Sequence, residues 1–393
     1  MLVSDFERRM RPFVALQAAV AALGGFTGVF VYASHGAAAV ARYAALMYGT
    51  TGLALVLAFA LGMRLRVSAT RLVQAGFALP ALLLWWVDGR PDLLALAIGG
   101  FLGLTWGARH WLELQALANG ERDGYATHAI ALAVGVTLAG TLAVSGLLWA
   151  QHEAHAPVYR MFALLSLAGA CLAGRGLPEA PPVRLEQPLA VLRQRAYRDS
   201  LPLFLLESGL IGITMVLTAT GAMQSLEHAS DYGWAASAAT LCGAVALHVM
   251  RSRRHSGNRI GWMRAACFGI VGAAALLGAS APWPRLFIAY LLLQAVVSPF
   301  WAASEHVLNQ RALDIRGAVG DRIAAREGTL AVFRLGTLAL FWWATQALDD
   351  HQRLVAGTLI IGLAAVLEFQ LGRRWLAHQH HGASPAPAHP YPR

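Results

Sequence analysis

The chain predicts an all-α integral membrane protein with twelve transmembrane helices in two pseudo-symmetric six-helix bundles. Composition is the first reason. The residues are 57% hydrophobic and only 13% charged, whereas soluble domains carry about 25% charged residues. Length is the second, because apolar runs near the ~20 residues that cross a hydrocarbon core recur along the whole chain. The third is where the basic residues fall. All 31 are arginine, and they cluster on alternate connections. The N-terminus, the even-numbered connections and the C-terminus hold 26 of the 31, and the other side carries only Arg42, Arg90, Arg160, Arg285 and Arg353. Positive charge resists translocation, so the arginine-rich side, with both termini, is expected in the cytoplasm.

The spans fall at 13–34, 39–62, 71–87, 91–110, 126–150, 158–174, 201–223, 231–250, 262–281, 285–305, 327–347 and 354–372. The runs are continuous rather than alternating, which excludes a closed β-barrel. The first run is too long for a signal-peptide core and lacks a convincing cleavage site, so it is read as a retained span. The longest inner connection holds Pro178, Pro181, Pro182 and Pro188, then the polar stretch Val191–Asp199 with Arg193, Arg195 and Arg198. These features divide the chain into a bundle at 1–177, a cytoplasmic linker at 178–200, a second bundle at 201–375 and a disordered tail at 376–393. The tail is rich in proline and contains His378, His380, His381 and His389.

The net charge of +10 sits in short loops beside apolar spans, where anionic lipid headgroups are the expected partner and nucleic acid is not. Cys171, Cys242 and Cys267 all lie inside spans without metal-ligand spacing. No Walker motif, nucleotide-binding glycine loop, paired His/Cys constellation or Ser-His-Asp spacing stands out. Neither a cofactor, a metal nor an enzymatic activity is therefore expected. Absence of lysine with abundant Ala, Leu, Gly and Arg suggests a GC-rich bacterial genome and hence a bacterial inner membrane.

The halves resemble each other. Trp106 and Gln115 in the first match Trp301 and Gln310 in the second at one offset, and Tyr48-Gly49 matches Tyr232-Gly233. Polar inner loops follow in both, with Asn119-Gly120-Glu121-Arg122-Asp123 and Gly320-Asp321-Arg322. Twelve spans in two halves, a long linker after span six and about 390 residues together resemble the major facilitator superfamily. The resemblance covers roughly 10–375 and is architectural. The family's Gly-x-x-x-Asp-Arg-x-Gly-Arg-Arg motif after span two is poorly matched by Gly62-Met63-Arg64-Leu65-Arg66-Val67-Ser68-Ala69-Thr70-Arg71, which has no Asp. Asn258-Arg259-Ile260-Gly261-Trp262-Met263-Arg264 in the second half is closer, with Asn replacing Asp. The resemblance implies two halves rocking about a midplane site.

Polar groups in hydrocarbon are costly, which makes intramembrane ionisable residues functional candidates. Glu207 shares a helical face with Thr214, Thr218 and Gly221 in span seven, where a carboxylate beside hydroxyls suits proton exchange. Near the inner end of the span it equally suits an ion pair with a loop arginine. Tyr290, Gln294, Ser298, Trp301 and Glu305 form a polar-aromatic stripe on span ten that suits a small organic ligand. Arg334 in span eleven needs a counter-ion, and Glu207, Glu305 and Glu327 are the available carboxylates. The expectation is a network of Arg334 with Glu305 or Glu207, with snorkelling to the headgroups as its rival. Gln17, Gly24, Gly28, Tyr32 and His35 share one face of span one. Gln17 and Tyr32 are cavity candidates, and Gly24-x-x-x-Gly28 is a candidate close contact. Trp106, His110 and Glu113 recur on span four, with Arg109–Glu113 as a helix-end pair. Glu368 is expected to snorkel. His128 and His248 lie near inner span ends, and Glu227, His228 and Asp231 form an outer cluster.

The chain is thus expected to be a monomeric secondary transporter of a small molecule, with protons as a candidate coupling ion and export preferred over uptake. The rival is a non-transporting assembly factor or sensor with a transporter-like fold.

Overall fold

The computed structural model describes residues 4–117, 121–250 and 259–378. Asn119, Gly120, Asn258 and the tail histidines His380, His381 and His389 lie outside the described residues. Among the described residues every regular element is a helix, and twelve spans emerge in the expected order.

Span one is α1 (Asp5–Ala21) running into the first part of α2 (Gly24–Leu65). Ser4 starts it by accepting the Glu7 amide at 3.1 Å, a standard N-cap. The join at residues 22–25 is tightened by amide bonds to carbonyls three residues back. Gly36, at φ +77°, ends span one and begins span two inside α2. A left-handed φ of this kind is where glycine costs least. Spans three to six are α3 (Ala69–Leu83), α4 (Pro91–Ala116), α5 (Arg122–Ala150) and α6 (His155–Leu172). The linker holds α7 (Pro188–Arg193) and α8 (Arg195–Phe204), and α8 continues through a π-turn at Leu205–Gly209 into α9 (Ile211–Ser225) to make span seven. Spans eight to twelve are α10 (Ala229–Met250), α11 (Arg259–Ala279), α12 (Leu286–Ala312), α13 (Val319–Ala344) and α14 (Asp350–His378).

Among the described residues, eight helical stretches are long and apolar enough to cross a membrane, and one of these, Asp5–Gly62, contains two spans. Two shorter apolar helices, Ala69–Leu83 and Leu286–Ala302, add spans three and ten. That leaves α13, which carries Asp321, Arg322, Arg326, Glu327 and Arg334. All five have partners within the protein: Arg322 donates to the Leu313 carbonyl at 2.6 Å, and the other four are described below. Exposed tryptophans mark the face opposite the termini: Trp85, Trp86, Trp149, Trp234, Trp283 and Trp343. Such rings favour the headgroup level.

Within the first bundle the most extensive helix pairing is α4 on α2. A Cβ on Gly99 would stand 2.4 Å from the Met47 carbonyl oxygen, and one on Gly103 2.3 Å from that of Thr51. The small-residue motif at work is therefore Gly99-x-x-x-Gly103. The expected Gly24-x-x-x-Gly28 contact is not formed in that way, because Gly24 has open space and Gly28 meets Ala219 and Met215 at an ordinary 3.4 Å.

The halves meet along α2 with α13 and, symmetrically, α5 with α10. The repeated Tyr-Gly pairs sit at these seams, with Gly49 against Leu335 and Gly233 against Ser145 and Phe26. The linker is strapped across the termini face. Val183 bonds its amide to the Val67 carbonyl at 2.9 Å, and Trp111 donates to Pro181 O at 3.1 Å. Buried Asp321 at the start of α13 accepts the amides of Glu186 and Gln187 at 2.7 and 2.9 Å. The strap backbone lies against Gly62 on one half and Gly320 on the other.

Candidate functional site

A cavity of about 680 Å³ lies between the two bundles. The first half lines it with Gln17, Tyr48, Thr51, Trp106, Arg109, His110 and Thr141, and the second with Glu207, Ser208, Tyr232, Glu305, Asn309, Arg326, Glu327 and Arg334. It reaches Leu114, Ala126 and Leu313 near the face that carries the termini. The opposite end is closed. Tyr32 donates to Asp350 at 2.7 Å, Tyr232 to the Gly25 carbonyl at 3.1 Å, and the Ser230 amide to Glu153 at 3.1 Å. Asp350 also pairs with Arg353 at 2.5 Å, whose guanidinium lies over the Trp342 ring.

A smaller cavity of about 180 Å³ lies behind the first, inside the second bundle. Thr214, Tyr290, Gln294, Trp301, Glu305, Thr358 and Glu368 line it together with Glu207. Glu207 and Glu305 border both cavities.

The π-turn explains how Glu207 and Ser208 come to the interface. One extra residue in a helical turn swings side chains and leaves carbonyls without their usual amides. Two groups from α13 take those carbonyls. Arg334 donates to Ser208 O at 3.3 Å and to Ser208 Oγ at 2.5 Å, and Thr337 donates to Gly209 O at 2.5 Å. The Arg334 guanidinium also lies over the Tyr48 ring, 5.2 Å from its centroid, a cation–π contact that crosses the halves.

The expected ion pair of Arg334 is therefore corrected. Glu207 pairs with Arg326 at 3.7 Å, and Arg326 also contacts Glu327. Arg334 has company in the interior, since Arg109 and Arg326 are each only 7% exposed. Arg326 stands at the junction that the hydropathy pattern assigns to a loop, and its only sequence signal is the adjacent Glu327. Glu368 does not snorkel: it is 2% exposed and faces the rear cavity.

Gln17 lies where expected. It is 2% exposed, donates to Thr105 Oγ1 at 3.1 Å and accepts from Arg109 at 3.4 Å. Arg109 pairs with fully buried Glu113 at 2.7 Å and stacks on Trp106, so this pair is an interior one rather than a solvated helix end. His110 is 3.7 Å from Glu113. Thr214, Tyr290, Gln294 and Trp301 share the rear cavity, and Thr218 meets the Tyr290 hydroxyl at 3.0 Å just beside it. Tyr32 and Ser298 line neither cavity; Tyr32 belongs to the closed outer end. His128 contacts Glu7 at 3.2 Å. Glu227, His228, Asp231 and His248 are exposed. Among the described residues no cluster of three or more His, Cys, Asp or Glu is arranged to hold a metal ion.

No protein-family profile and no curated protein sequence matches the chain. Solved structures do. The human organic anion transporter MFSD10 (TETRAN) is 17% identical, with 93% of this chain and 99% of that chain covered at a TM-score of 0.60. The E. coli fucose:proton symporter FucP is 14% identical, with 94% and 98% covered at 0.59. The proton:xylose symporter XylE is 11% identical, with 95% and 97% covered at 0.64. At these identities the likeness speaks for architecture, over nearly the full length of both chains. The chain has the twelve-helix fold of the major facilitator superfamily.

Proposed function

We propose that the chain is a secondary active transporter that carries a small organic solute through the central cavity by alternating access. One observation carries this reading: a cavity lined by both halves reaches one face, while interhalf hydrogen bonds close the other. A pseudo-symmetric pair of bundles with such a site can exchange which end is closed. The arginine distribution supports a cytoplasmic cavity-bearing face, and the lysine-free composition supports a bacterial inner membrane. Solute then enters from inside, and export is the direction we favour. The protein acts as a monomer, in contact with lipid.

Tyr48, Trp106 and Tyr232 offer faces for an organic solute, and Gln17, His110 and Asn309 offer polar anchors. Proton coupling belongs to the same reading, with Glu207, Glu305 and Arg334 in the wall where the halves meet. The structural neighbours supply the first panel of solutes: organic anions, sugars and nucleosides.

The test is reconstitution of the full chain in liposomes with an imposed pH gradient and labelled members of that panel. Gradient-dependent movement of one class, weakened by Gln17→Ala, is expected. A protein that moves none of them and shows no thermal stabilisation by any would favour the assembly-factor or sensor reading. Reporter fusions test the orientation, and an outward C-terminus would overturn it.

A further inference from the structure

The rear cavity holds more acid than the transport reading needs. Glu305 from α12 and Glu368 from α14 both line this one small cavity. Glu368 is 2% exposed, and its Oε1 accepts no hydrogen bond. Like charges that share one small buried site do not both stay ionised.

The surroundings do not neutralise the pair. Glu207 approaches from the π-turn as a third carboxylate. From α13, Arg326 is shared between Glu207 and Glu327, and Arg334 is engaged by Ser208. From α11, Cys267 donates to the Ala365 carbonyl at 3.4 Å. The sequence of α9 has no ionisable side chain. On α8, Arg195, Arg198 and Asp199 are exposed, as are Asp231, Cys242 and His248 on α10. Tyr290 on α12 is occupied by Thr218. Four carboxyl groups thus face two guanidinium groups, of which Arg326 pairs with Glu207 and Glu327 and Arg334 with Ser208.

We propose that Glu305 and Glu368 form a dedicated proton site, separate from the solute cavity, that holds one proton between the two carboxyl groups. Loading takes one proton from water onto one carboxylate oxygen, which then donates to the other carboxylate. Unloading returns that proton, and only O–H bonds form or break. Glu305 also borders the central cavity, so the site exchanges its proton with whichever side that cavity faces. Solute and proton would then occupy neighbouring chambers that share one wall. This deepens the transport reading by giving its coupling ion an address.

The test is infrared spectroscopy of the full-length protein in lipid, in H2O and in D2O, with the proton as the only ligand. The wild type should show at neutral pH the C=O stretch of an un-ionised carboxylic acid that shifts down in D2O. Glu305→Gln and Glu368→Gln should each lose it, because the amide donates to the remaining carboxylate without a proton. Glu207→Gln should keep it. Should a glutamine variant fail to fold, Glu368→Asp keeps the carboxyl group and should move the band rather than abolish it. A band missing from wild type across the pH range, or present unchanged in both glutamine variants and in Glu368→Asp, overturns the proposal. The readout needs no solute. A band with this behaviour in a protein that transports nothing would sink the transport reading alone. Transport with no such band would sink the proton site alone.

Discussion

The two bundles treat buried charge differently. In the first, Arg109 and Glu113 form a compact pair one helical turn apart, with Gln17, Thr105 and Trp106 completing the shell. In the second, Glu207, Glu305, Glu327 and Glu368 outnumber Arg326 and Arg334, and Arg326 reaches across to Glu207 on the π-turn as well as to its neighbour Glu327. A local pair on one helix is indifferent to how that helix moves against its neighbours. A network spread over the π-turn, α12, α13 and α14 must change when any of them shifts. The first bundle therefore reads as a fixed wall and the second as the half that responds to protons.

The largest expected effect tests the fixed wall. Arg109→Met leaves the Glu113 charge buried without its main partner and should cost about 3–5 kcal/mol, seen as a large fall in melting temperature. Combining it with Glu113→Leu should restore much of that loss. If Arg109→Met alone is neutral, the first bundle is not the rigid partner described. Arg334→Met removes the donor that takes the Ser208 carbonyl and should cost about 1–3 kcal/mol. Normal melting of that variant would remove the π-turn from its role. Tyr32→Phe loses one hydrogen bond at the closed end, worth about 0.5–1.5 kcal/mol. It should also raise cysteine labelling from that end more than its small stability change suggests. Glu368→Gln should melt close to wild type, because its amide replaces the shared proton as a donor to Glu305. A large loss on melting would mean that the Glu368 carboxyl stabilises the bundle as a fixed partner, as in the first half.

Much of the architecture was legible in the sequence. Apolar runs and arginine placement mark the spans because the hydrocarbon core imposes both length and charge rules. Span eleven was readable from its apolar second half, although its first half carries enough charge to defeat a hydropathy criterion. Gln17, Thr214, Tyr290, Gln294 and Trp301 line cavities as their helical spacing suggests. Spacing within a helix does not say which neighbour it faces, so Tyr32 and Ser298 were misplaced. The partner of Arg334 was misjudged for a different reason. A π-turn has no sequence signature as plain as proline, and the carbonyls it frees compete with carboxylates for an arginine. The prolines mark the linker in the sequence but do not say what it packs against. Its strap geometry depends on Asp321, more than 130 residues away.

Alternating access is the claim on which the functional account rests, and cysteine labelling in sealed vesicles tests it most directly. Cys171, Cys242 and Cys267 would be replaced, and one cysteine placed at Thr137, which lines the central cavity. With the outer latch intact, a membrane-impermeant maleimide should reach it only from the face that carries the termini. With Tyr32→Phe and Asp350→Asn together, labelling from the opposite face should appear and labelling from the first should fall. Labelling that stays on one face in both backgrounds, or appears on both faces at once, would contradict the account.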